Sequence, residues 1–291
     1  SALFLNNSGN DITIHQNSVD GSSSTGGGVI HLDTDNFDGF HLTDNCVTNA
    51  SNGFGFFVDG NRNVGTSATR SPLISGNLFD NNQQSANLGK RAFENGTISG
   101  NTFSNNSYDG LLGGPKDSLI TGNEFSGNGR IGLLLTSFSD TDSTKGAQGN
   151  TITNNCFTNN GFVHNYAGIF FSSGQAPGTI STNIANNNNI FGNYIGALYG
   201  GGETIDAEDN WWGAADGPSG DGSGSGDPVS GTSIDFDPWL TAIAGSTPCS
   251  PTFKNRGQCI SSLIEANCFD FTGRDRADCN HEQQDFCDEL F

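Results

Sequence analysis

The stretch Gly96–Leu112, GTISGNTFSNNSYDGLL, contains the repeat unit around which the whole chain is organised. Its skeleton is an apolar residue followed by Asn three positions later, an apolar residue five later and Asn eight later. In this copy the four positions are Ile98, Asn101, Phe103 and Asn106. Further copies begin at Ile74, Ile120 and Ile152, and weaker ones at Ile14 and Leu42. Self-similarity at a fixed period indicates a repeat architecture, so this unit decides the fold.

Successive copies lie 24, 22 and 32 residues apart, measured from Ile74 to Ile98, to Ile120 and to Ile152. A period in the low twenties with occasional longer steps is typical of one coil of a parallel β-solenoid with loop insertions. Within each copy, apolar residues two apart alternate with polar neighbours, which is the periodicity of a strand. We therefore predict an all-β protein built from short strands that are joined by Asn and Gly bends.

The asparagines of the repeat have a mechanical explanation that involves no ligand. Asn tolerates left-handed backbone geometry, and its side chain bonds to backbone groups at a bend. When coils stack, Asn101 lies above Asn123, and identical amides at that spacing form a ladder. We predict structural roles, in preference to binding roles, for Asn77, Asn101, Asn123 and Asn155.

The composition limits the classes of partner. The chain of 291 residues has a net charge of −20, and only 11 of its residues are Lys or Arg. Such acidity disfavours nucleic acid and anionic membranes, and it opposes an acidic polysaccharide unless Ca²⁺ bridges the two. No apolar run is long enough to span a membrane. Acidity is typical of a soluble extracellular protein, so we expect an extracellular or cell-surface location.

Residues 203–240 resemble the closing segment of secreted right-handed parallel β-helix repeat proteins of the pectin-lyase-like superfamily. The resembling residues are Asn210-Trp211-Trp212-Gly213, Gly217-Pro218 and Ile234-Asp235-Phe236-Asp237-Pro238-Trp239-Leu240. With the repeats, the resemblance covers roughly residues 10–240. It implies a right-handed parallel β-helix but no single activity, because the superfamily contains lyases, hydrolases, epimerases, adhesins and structural rods.

Three tryptophans of the closing segment, Trp211, Trp212 and Trp239, are predicted to form a cap. Large indoles near the end of a solenoid can cover the apolar opening of its last coil. The alternative interpretation is a platform on which sugar rings stack.

The end of the chain differs in composition, and we predict a β-helix at residues 1–245 and a small appendage at residues 246–291. Five of the seven cysteines lie in this tail: Cys249, Cys259, Cys268, Cys279 and Cys287. That density predicts a disulfide-rich appendage in an oxidising compartment. Zinc is the alternative, which the absence of CxxC pairs disfavours.

The other two cysteines, Cys46 and Cys156, occupy the same point of their coils, four residues after Leu42 and Ile152. Three other coils lie between them, so at about 4.8 Å per coil they are roughly 19 Å apart, which is beyond disulfide reach. Each of them therefore pairs with a cysteine elsewhere, the tail included, or remains a thiol.

No catalytic constellation emerges from the sequence. A polysaccharide lyase needs a base, typically Lys or Arg, with acidic groups or Ca²⁺ to neutralise the uronate. Lys90-Arg91 is the adjacent basic pair of the helical body and the candidate for this role, with a solvated coil edge as the alternative. Asp33, Asp35 and Asp38 are candidates for a Ca²⁺ site, although their spacing is not that of a calcium loop. We predict no cofactor other than this Ca²⁺.

Asn-X-Ser/Thr sequons predict glycosylation in a source that glycosylates its secreted proteins. They begin at Asn6, Asn49, Asn95 and Asn105.

We predict a secreted structural or adhesive β-helix that is not an enzyme. An exposed first coil and a docking tail would allow head-to-tail assembly into extracellular fibres. One alternative is a polysaccharide lyase, hydrolase or epimerase that acts in a groove along the strands. Another is a non-catalytic glycan-binding protein, for which the evidence would be aromatic side chains exposed in line along one face.

Overall fold

The computed structural model describes residues 3–6, 9–23, 27–34, 37–60, 69–89, 93–136, 146–172, 180–201, 203–231, 233–245 and 249. These residues form 30 short strands and no helix. All strand pairings within the described ranges are parallel. This pattern confirms the predicted all-β solenoid. No helix in the described part of the chain is long and apolar enough to cross a membrane.

Three long sheets form the walls of the solenoid, and each central coil contributes one strand to each wall. Sheet 1 comprises β3 (Thr13–His15), β7 (His41–Thr43), β11 (Leu73–Ser75), β15 (Thr97–Ser99), β18 (Leu119–Thr121), β21 (Thr151–Thr153), β24 (Ile184–Asn186), β27 (Ile205–Asp206) and β30 (Ile234–Asp235). Sheet 2 comprises β4 (Ser18–Asp20), β8 (Cys46–Thr48), β12 (Leu78–Asp80), β16 (Thr102–Ser104), β19 (Glu124–Ser126), β22 (Cys156–Thr158) and β25 (Asn189–Phe191).

Sheet 3 follows sheet 2 in each coil, and a short sheet 4 precedes the return to sheet 1. Sheet 3 comprises β1 (Leu3–Asn6), β5 (Gly28–Thr34), β9 (Phe54–Gly60), β13 (Gln84–Asn87), β17 (Asp109–Gly113), β20 (Ile131–Thr136), β23 (Ala167–Ser172), β26 (Ile195–Tyr199), β29 (Gly226–Ser230) and β28 (Pro218–Gly220). Sheet 4 comprises β2 (Gly9–Asn10), β6 (Phe37–Asp38), β10 (Thr69–Arg70) and β14 (Phe93–Glu94).

The core consists of rows of identical or similar side chains, one from each coil. In sheet 1, Ile98 pairs with Ile120 and is fully buried. In sheet 2, Phe103 and Phe125 stack with ring centroids 4.9 Å apart and planes within 9°. From Phe79 to Phe157 the repeat places a phenylalanine at the same register in four successive coils, so neighbouring rings stack.

An amide ladder runs along the bend between sheets 1 and 2. It contains Asn17, Asn45, Asn77, Asn101, Asn123, Asn155, Asn188 and Asn210. The backbone N–H and the side-chain Nδ2 of each asparagine donate to Oδ1 of the next, at 2.8–3.1 Å. The ladder therefore satisfies buried polar groups at the sharpest corner of every coil.

A second ladder follows the bend between sheets 2 and 3. It contains Asn82, Asn106, Asn128, Asn160 and Asn193. It ends at Asp227, whose carboxylate accepts hydrogen bonds from the backbone and side chain of Asn193 and from the backbone N–H of Gly192. Burial raises the pKa of Asp227, and these hydrogen bonds oppose that shift. The last position of the ladder needs only an acceptor, so a carboxylate fits there.

The closing segment returns along the solenoid after sheet 1 ends. Trp212 is fully buried in the core, and Trp239 packs against the core from a half-buried position. The side-chain amide of Asn189 pairs with the backbone of Ala244, donating at 3.1 Å and accepting at 2.6 Å. A disulfide then joins Cys249 to Cys156 in β22. The closing segment is thereby attached to the outer side of sheet 2.

The disulfide decides between the alternatives that the sequence left open for Cys156, since its partner is a cysteine of the predicted tail. The register of sheet 2 places Leu78, Thr102 and Glu124 between Cys46 and Cys156, as the repeat spacing predicts. Of the predicted tail, the structure describes only Cys249. The domain boundary at residues 245/246 and the pairing of Cys259, Cys268, Cys279 and Cys287 therefore stay predictions.

Candidate functional site

The most distinctive surface of the described residues lies at the corner between sheets 2 and 3. Each coil turns this corner directly after an asparagine of the second ladder. The side chains that follow the asparagine point outward, and those of successive coils lie beside one another along the solenoid axis. We call the outward set at this corner the aromatic strip: Tyr108, Arg130, Phe162, His164, Tyr166 and Tyr194. Backbone hydrogen bonds link neighbouring coils here, from Arg130 N–H to Tyr108 O at 2.8 Å and from Ile195 N–H to Tyr166 O at 3.1 Å.

The aromatic side chains of the strip are exposed to an unusual degree. The exposed fractions are 37% for Tyr108, 59% for Phe162, 37% for Tyr166 and 44% for Tyr194. Large aromatic side chains that remain exposed in a contiguous group mark a binding surface, because an isolated monomer gains by burying them.

One turn in the strip is longer than its counterparts in neighbouring coils. Residues 161–166 form this turn, and it closes through a hydrogen bond from Tyr166 N–H to Gly161 O at 3.0 Å. The backbone N–H groups of Val163 and His164 both donate to Gly129 O at 3.1 Å. Gly161 has φ +92°, and a Cβ at this position would lie 2.3 Å from Tyr166 O. The turn therefore holds Phe162 and His164 in fixed places.

Ring contacts tie the strip together across coils. Tyr108 stacks on His164 with centroids 4.9 Å apart and planes within 14°. Phe162 meets Tyr194 edge to face at 6.1 Å. The guanidinium carbon of Arg130 lies 5.7 Å from the centroid of the Tyr108 ring. These contacts orient the rings before any ligand arrives, which reduces the entropy lost on binding.

A buried ion pair anchors the centre of the strip. Asp109 has no exposed side-chain surface, and its Oδ1 accepts a hydrogen bond from Arg130 Nε at 2.7 Å. Arg130 Nη2 donates to the other carboxylate oxygen, which also accepts from Gln84 Nε2 at 3.2 Å. Burial raises the pKa of Asp109 against the opposing effect of Arg130, and the hydrogen bond to Asp109 raises the pKa of Arg130. This bidentate pairing fixes the orientation of the guanidinium.

The strip was not predicted from the sequence, although a usable signal exists. Tyr108 and Arg130 each stand two positions after an asparagine of the second ladder, and Tyr194 stands one position after another. When the repeats are aligned on those asparagines, Tyr108 and Arg130 fall into one column and Tyr194 into the preceding one. The apolar and Asn positions alone predict the core and the bends and leave these outward residues out.

Most of the predicted catalytic and metal residues lie outside the part of the chain that the structure describes. Lys90, Arg91 and Asp35 lie outside the described residues, and Asp33 is described only as part of the backbone of β5. Asp38 is exposed in β6. Within the described ranges, no group of three or more His, Cys, Asp or Glu side chains is placed to hold a metal ion. The catalytic and Ca²⁺ roles of these residues stay untested predictions.

The predicted glycosylation sites lie mostly at bends. Asn49, Asn95 and Asn105 have left-handed backbones with φ of 60°, 53° and 52°. Asn6 ends β1, and its side chain is not described. Asn95 and Asn105 are exposed, so a glycan at either would extend into solvent.

Glu124 is a half-buried carboxylate outside the strip. It faces outward from β19 in register with Cys156. Its Oε2 is buried without a hydrogen-bond partner, and burial raises the pKa of Glu124 above its usual value. A raised pKa means that the ionised form is disfavoured in the folded state.

Replacing Glu124 by Gln is expected to raise the melting temperature at pH 8 by about 2–4 °C, equivalent to about 1 kcal/mol. The stability that Glu124 contributes is fully present at low pH, where the carboxyl is protonated in both the folded and the unfolded protein. It is lost as pH rises through the raised pKa of the folded state, because the folded protein disfavours the ionised form. Gln cannot ionise, so its advantage should appear at high pH and vanish as pH falls. Thermal unfolding between about pH 4 and pH 8 measures this, with Glu94→Gln as the control. A gain that is equal at all pH values would contradict the assignment.

The fold and the strip together define a class of protein, a parallel β-solenoid with exposed aromatic side chains along one corner. Residues 28–211 match the model of the right-handed β-helix region, and the chain belongs to this right-handed β-helix family. A comparison with curated proteins finds no match.

Among solved structures, the chain is similar to a mutant of the periplasmic alginate epimerase AlgG, with a TM-score of 0.47 and 15% sequence identity. The match covers 79% of this chain and 45% of that one, so the chain spans less than half the length of that protein. A likeness at this level carries no argument about activity.

Proposed function

We propose that this protein binds a polysaccharide along the aromatic strip without cleaving it. The observation that carries the proposal is the group of exposed aromatic side chains along the strip. From Tyr108 to Tyr194 the strip advances by three coils, or about 14 Å along the solenoid axis. Exposed rings offer apolar faces to the C–H faces of sugars, while tyrosine hydroxyl groups bond to sugar hydroxyl groups.

The carboxylate of the strip is not available as a general acid or base. Its nearest carboxylate, Asp109, is fully buried and is committed to Arg130 and Gln84. A general acid or base must come within hydrogen-bond reach of the bound sugar, and Asp109 does not. A disulfide supports an extracellular location, because such bonds persist in oxidising compartments. Self-association through the solenoid ends or the tail remains a proposal, which light scattering of the purified protein would test.

Replacing Tyr166 by Ala is expected to weaken polysaccharide binding roughly tenfold, because a lost stacking contact removes about 1–1.5 kcal/mol. The measurement is affinity electrophoresis in gels that contain alginate, pectate, a glycosaminoglycan or a cellulose ether. Ile184→Ala is the matched control, since Ile184 is a large hydrophobic residue on sheet 1 with 40% exposure. The proposal that the strip is the binding surface would be wrong if the Tyr166 variant were retarded as strongly as the wild type in every gel that retards the wild type.

The enzymatic alternative is tested on the same polymers. Incubation of the protein with pectate, alginate and glycosaminoglycans, with and without Ca²⁺, would produce absorbance from unsaturated ends if it were a lyase. We expect retardation of the protein in the gels without new chain ends. Chain cleavage would overturn the non-catalytic proposal while leaving the strip as a binding surface.

A further inference from the structure

Arg130 presents one occupied edge and one open edge. Its Nε and Nη2 both donate to the buried carboxylate of Asp109. A guanidinium has five N–H donors in a rigid planar fork, so three remain after the two bonds to Asp109. Within the described ranges these three have no hydrogen-bond partner, and the Arg130 side chain is 31% exposed. The open edge therefore faces the outside of the strip.

The plane of the guanidinium is fixed as well as its edge. The centroid of the Tyr108 ring lies 5.7 Å from Cζ of Arg130. Gln84 donates a hydrogen bond to the Asp109 carboxylate, which in turn accepts from the guanidinium. A guanidinium whose orientation is already fixed loses little conformational entropy when it binds a planar or tetrahedral anion in addition to Asp109.

We propose that Arg130 selects an anionic polysaccharide, one that bears carboxylate or sulfate-ester groups, and that Asp109 is the residue that positions it. This inference rests on the proposed binding function and names the class of polymer. The three open N–H groups form charge-assisted hydrogen bonds to the anionic group while Tyr166 stacks on a flanking sugar. A neutral polymer gains only the stacking contacts.

The charge of the whole chain argues against an anionic ligand, but the local arrangement differs. The chain carries a net charge of −20. At physiological ionic strength, exposed charges act over a Debye length of about 8 Å, so distant carboxylates contribute little at the strip. Within the strip the groups that can carry positive charge are Arg130 and His164. Asp109 offsets the charge of Arg130, so the attraction for an anionic group comes from the directed N–H donors of the open edge rather than from a net positive charge.

Three polymers on one backbone provide the test, namely hydroxyethyl cellulose, carboxymethyl cellulose and cellulose sulfate. The wild type is expected to bind at least one anionic polymer roughly tenfold more tightly than the neutral one, with EDTA present throughout. The carboxymethyl and sulfate arms distinguish the two sources of the anionic group. Affinity electrophoresis at constant ionic strength gives the three dissociation constants.

The Arg130→Gln variant should lose this preference and keep its affinity for the neutral polymer. Because removing Arg130 leaves Asp109 buried without its partner, the double variant Asp109→Asn/Arg130→Gln provides a folded alternative. Asp109→Asn alone retains the positive charge but loses its positioning, so it should also reduce the preference. Arg130→Lys should keep part of it, because a lysine supplies charge without the fork. Arg70→Gln, at an exposed arginine of β10, is the matched control.

The outcomes separate the two proposals. Equal binding of all three polymers by the wild type overturns the selectivity of Arg130 and leaves the strip as a glycan-binding surface. A preference that survives in the folded double variant also overturns it. Binding of none of these polymers, or of those used for the Tyr166 test, overturns the proposed function and this inference with it.

Discussion

The Asn123→Ala variant is expected to lose about 3–5 kcal/mol of unfolding free energy. Asn123 Oδ1 accepts hydrogen bonds from the backbone N–H and Nδ2 of Asn101, at 3.0 and 2.8 Å. Its Nδ2 donates to Ile98 O and to Asn155 Oδ1, both at 2.9 Å. Alanine leaves the Asn101 N–H and the Ile98 carbonyl buried without these partners. Each such group costs about 1–3 kcal/mol.

Urea denaturation followed by circular dichroism measures the effect on Asn123→Ala. Asn52→Ala is the control, because Asn52 is an exposed asparagine at a bend outside the ladder. Asn123→Asp retains an oxygen acceptor toward Asn101 but lacks the Nδ2 donors, so it should also destabilise. A loss below about 1 kcal/mol for Asn123→Ala would show that water replaces the amide, and the ladder would then not be a structural requirement.

The Phe125→Ala variant is expected to lose about 3–5 kcal/mol, because it opens a cavity in the middle of the aromatic stack. Phe125 is fully buried, with ring centroids 4.9 Å from Phe103 and 4.8 Å from Phe157. The coils above and below fix the positions of Phe103 and Phe157, so these rings cannot easily move in to fill the space of the missing ring. The cost should therefore include a cavity term as well as the lost transfer free energy.

Thermal and urea unfolding of Phe125→Ala and Phe125→Leu test this packing argument. The Leu variant should lose less, since it keeps most of the buried volume. Leu119→Ala is the control, because Leu119 is a large side chain of sheet 1 with 37% exposure. Equal losses for Phe125→Ala and Leu119→Ala would contradict the assignment of Phe125 to a closely packed core row.

Much of the architecture could be predicted because the repeat encodes it locally. The spacing of Ile98, Asn101 and Phe103 specifies a strand, a bend and a second strand, and each coil contacts mainly its neighbours. The predicted neighbours Ile98 and Ile120, and Phe103 and Phe125, are paired in the structure. The amide ladder follows from the same register, since a repeated Asn at one bend lies above its own copy.

The candidate site could not be predicted in this way. Tyr108, Arg130 and His164 come from three different coils, and only Tyr108 and Arg130 share a position relative to the repeat. The contact with His164 depends on the longer turn at residues 161–166, which carries His164 back over the coil of Gly129. The burial of Asp109 beneath Arg130 has no signal in the repeat either.

The sequence by itself determined the solenoid, its core rows and its Asn bends, because these depend on periodicity and on contacts between identical positions of adjacent coils. Only the tertiary structure decided which outward side chains meet, that Asp109 occupies one edge of Arg130 and leaves the other open, and that Cys156 pairs with Cys249. The physical reason is that outward residues are not constrained by the core. Their proximity is set by coil length, turn insertions and burial, which the repeat does not encode.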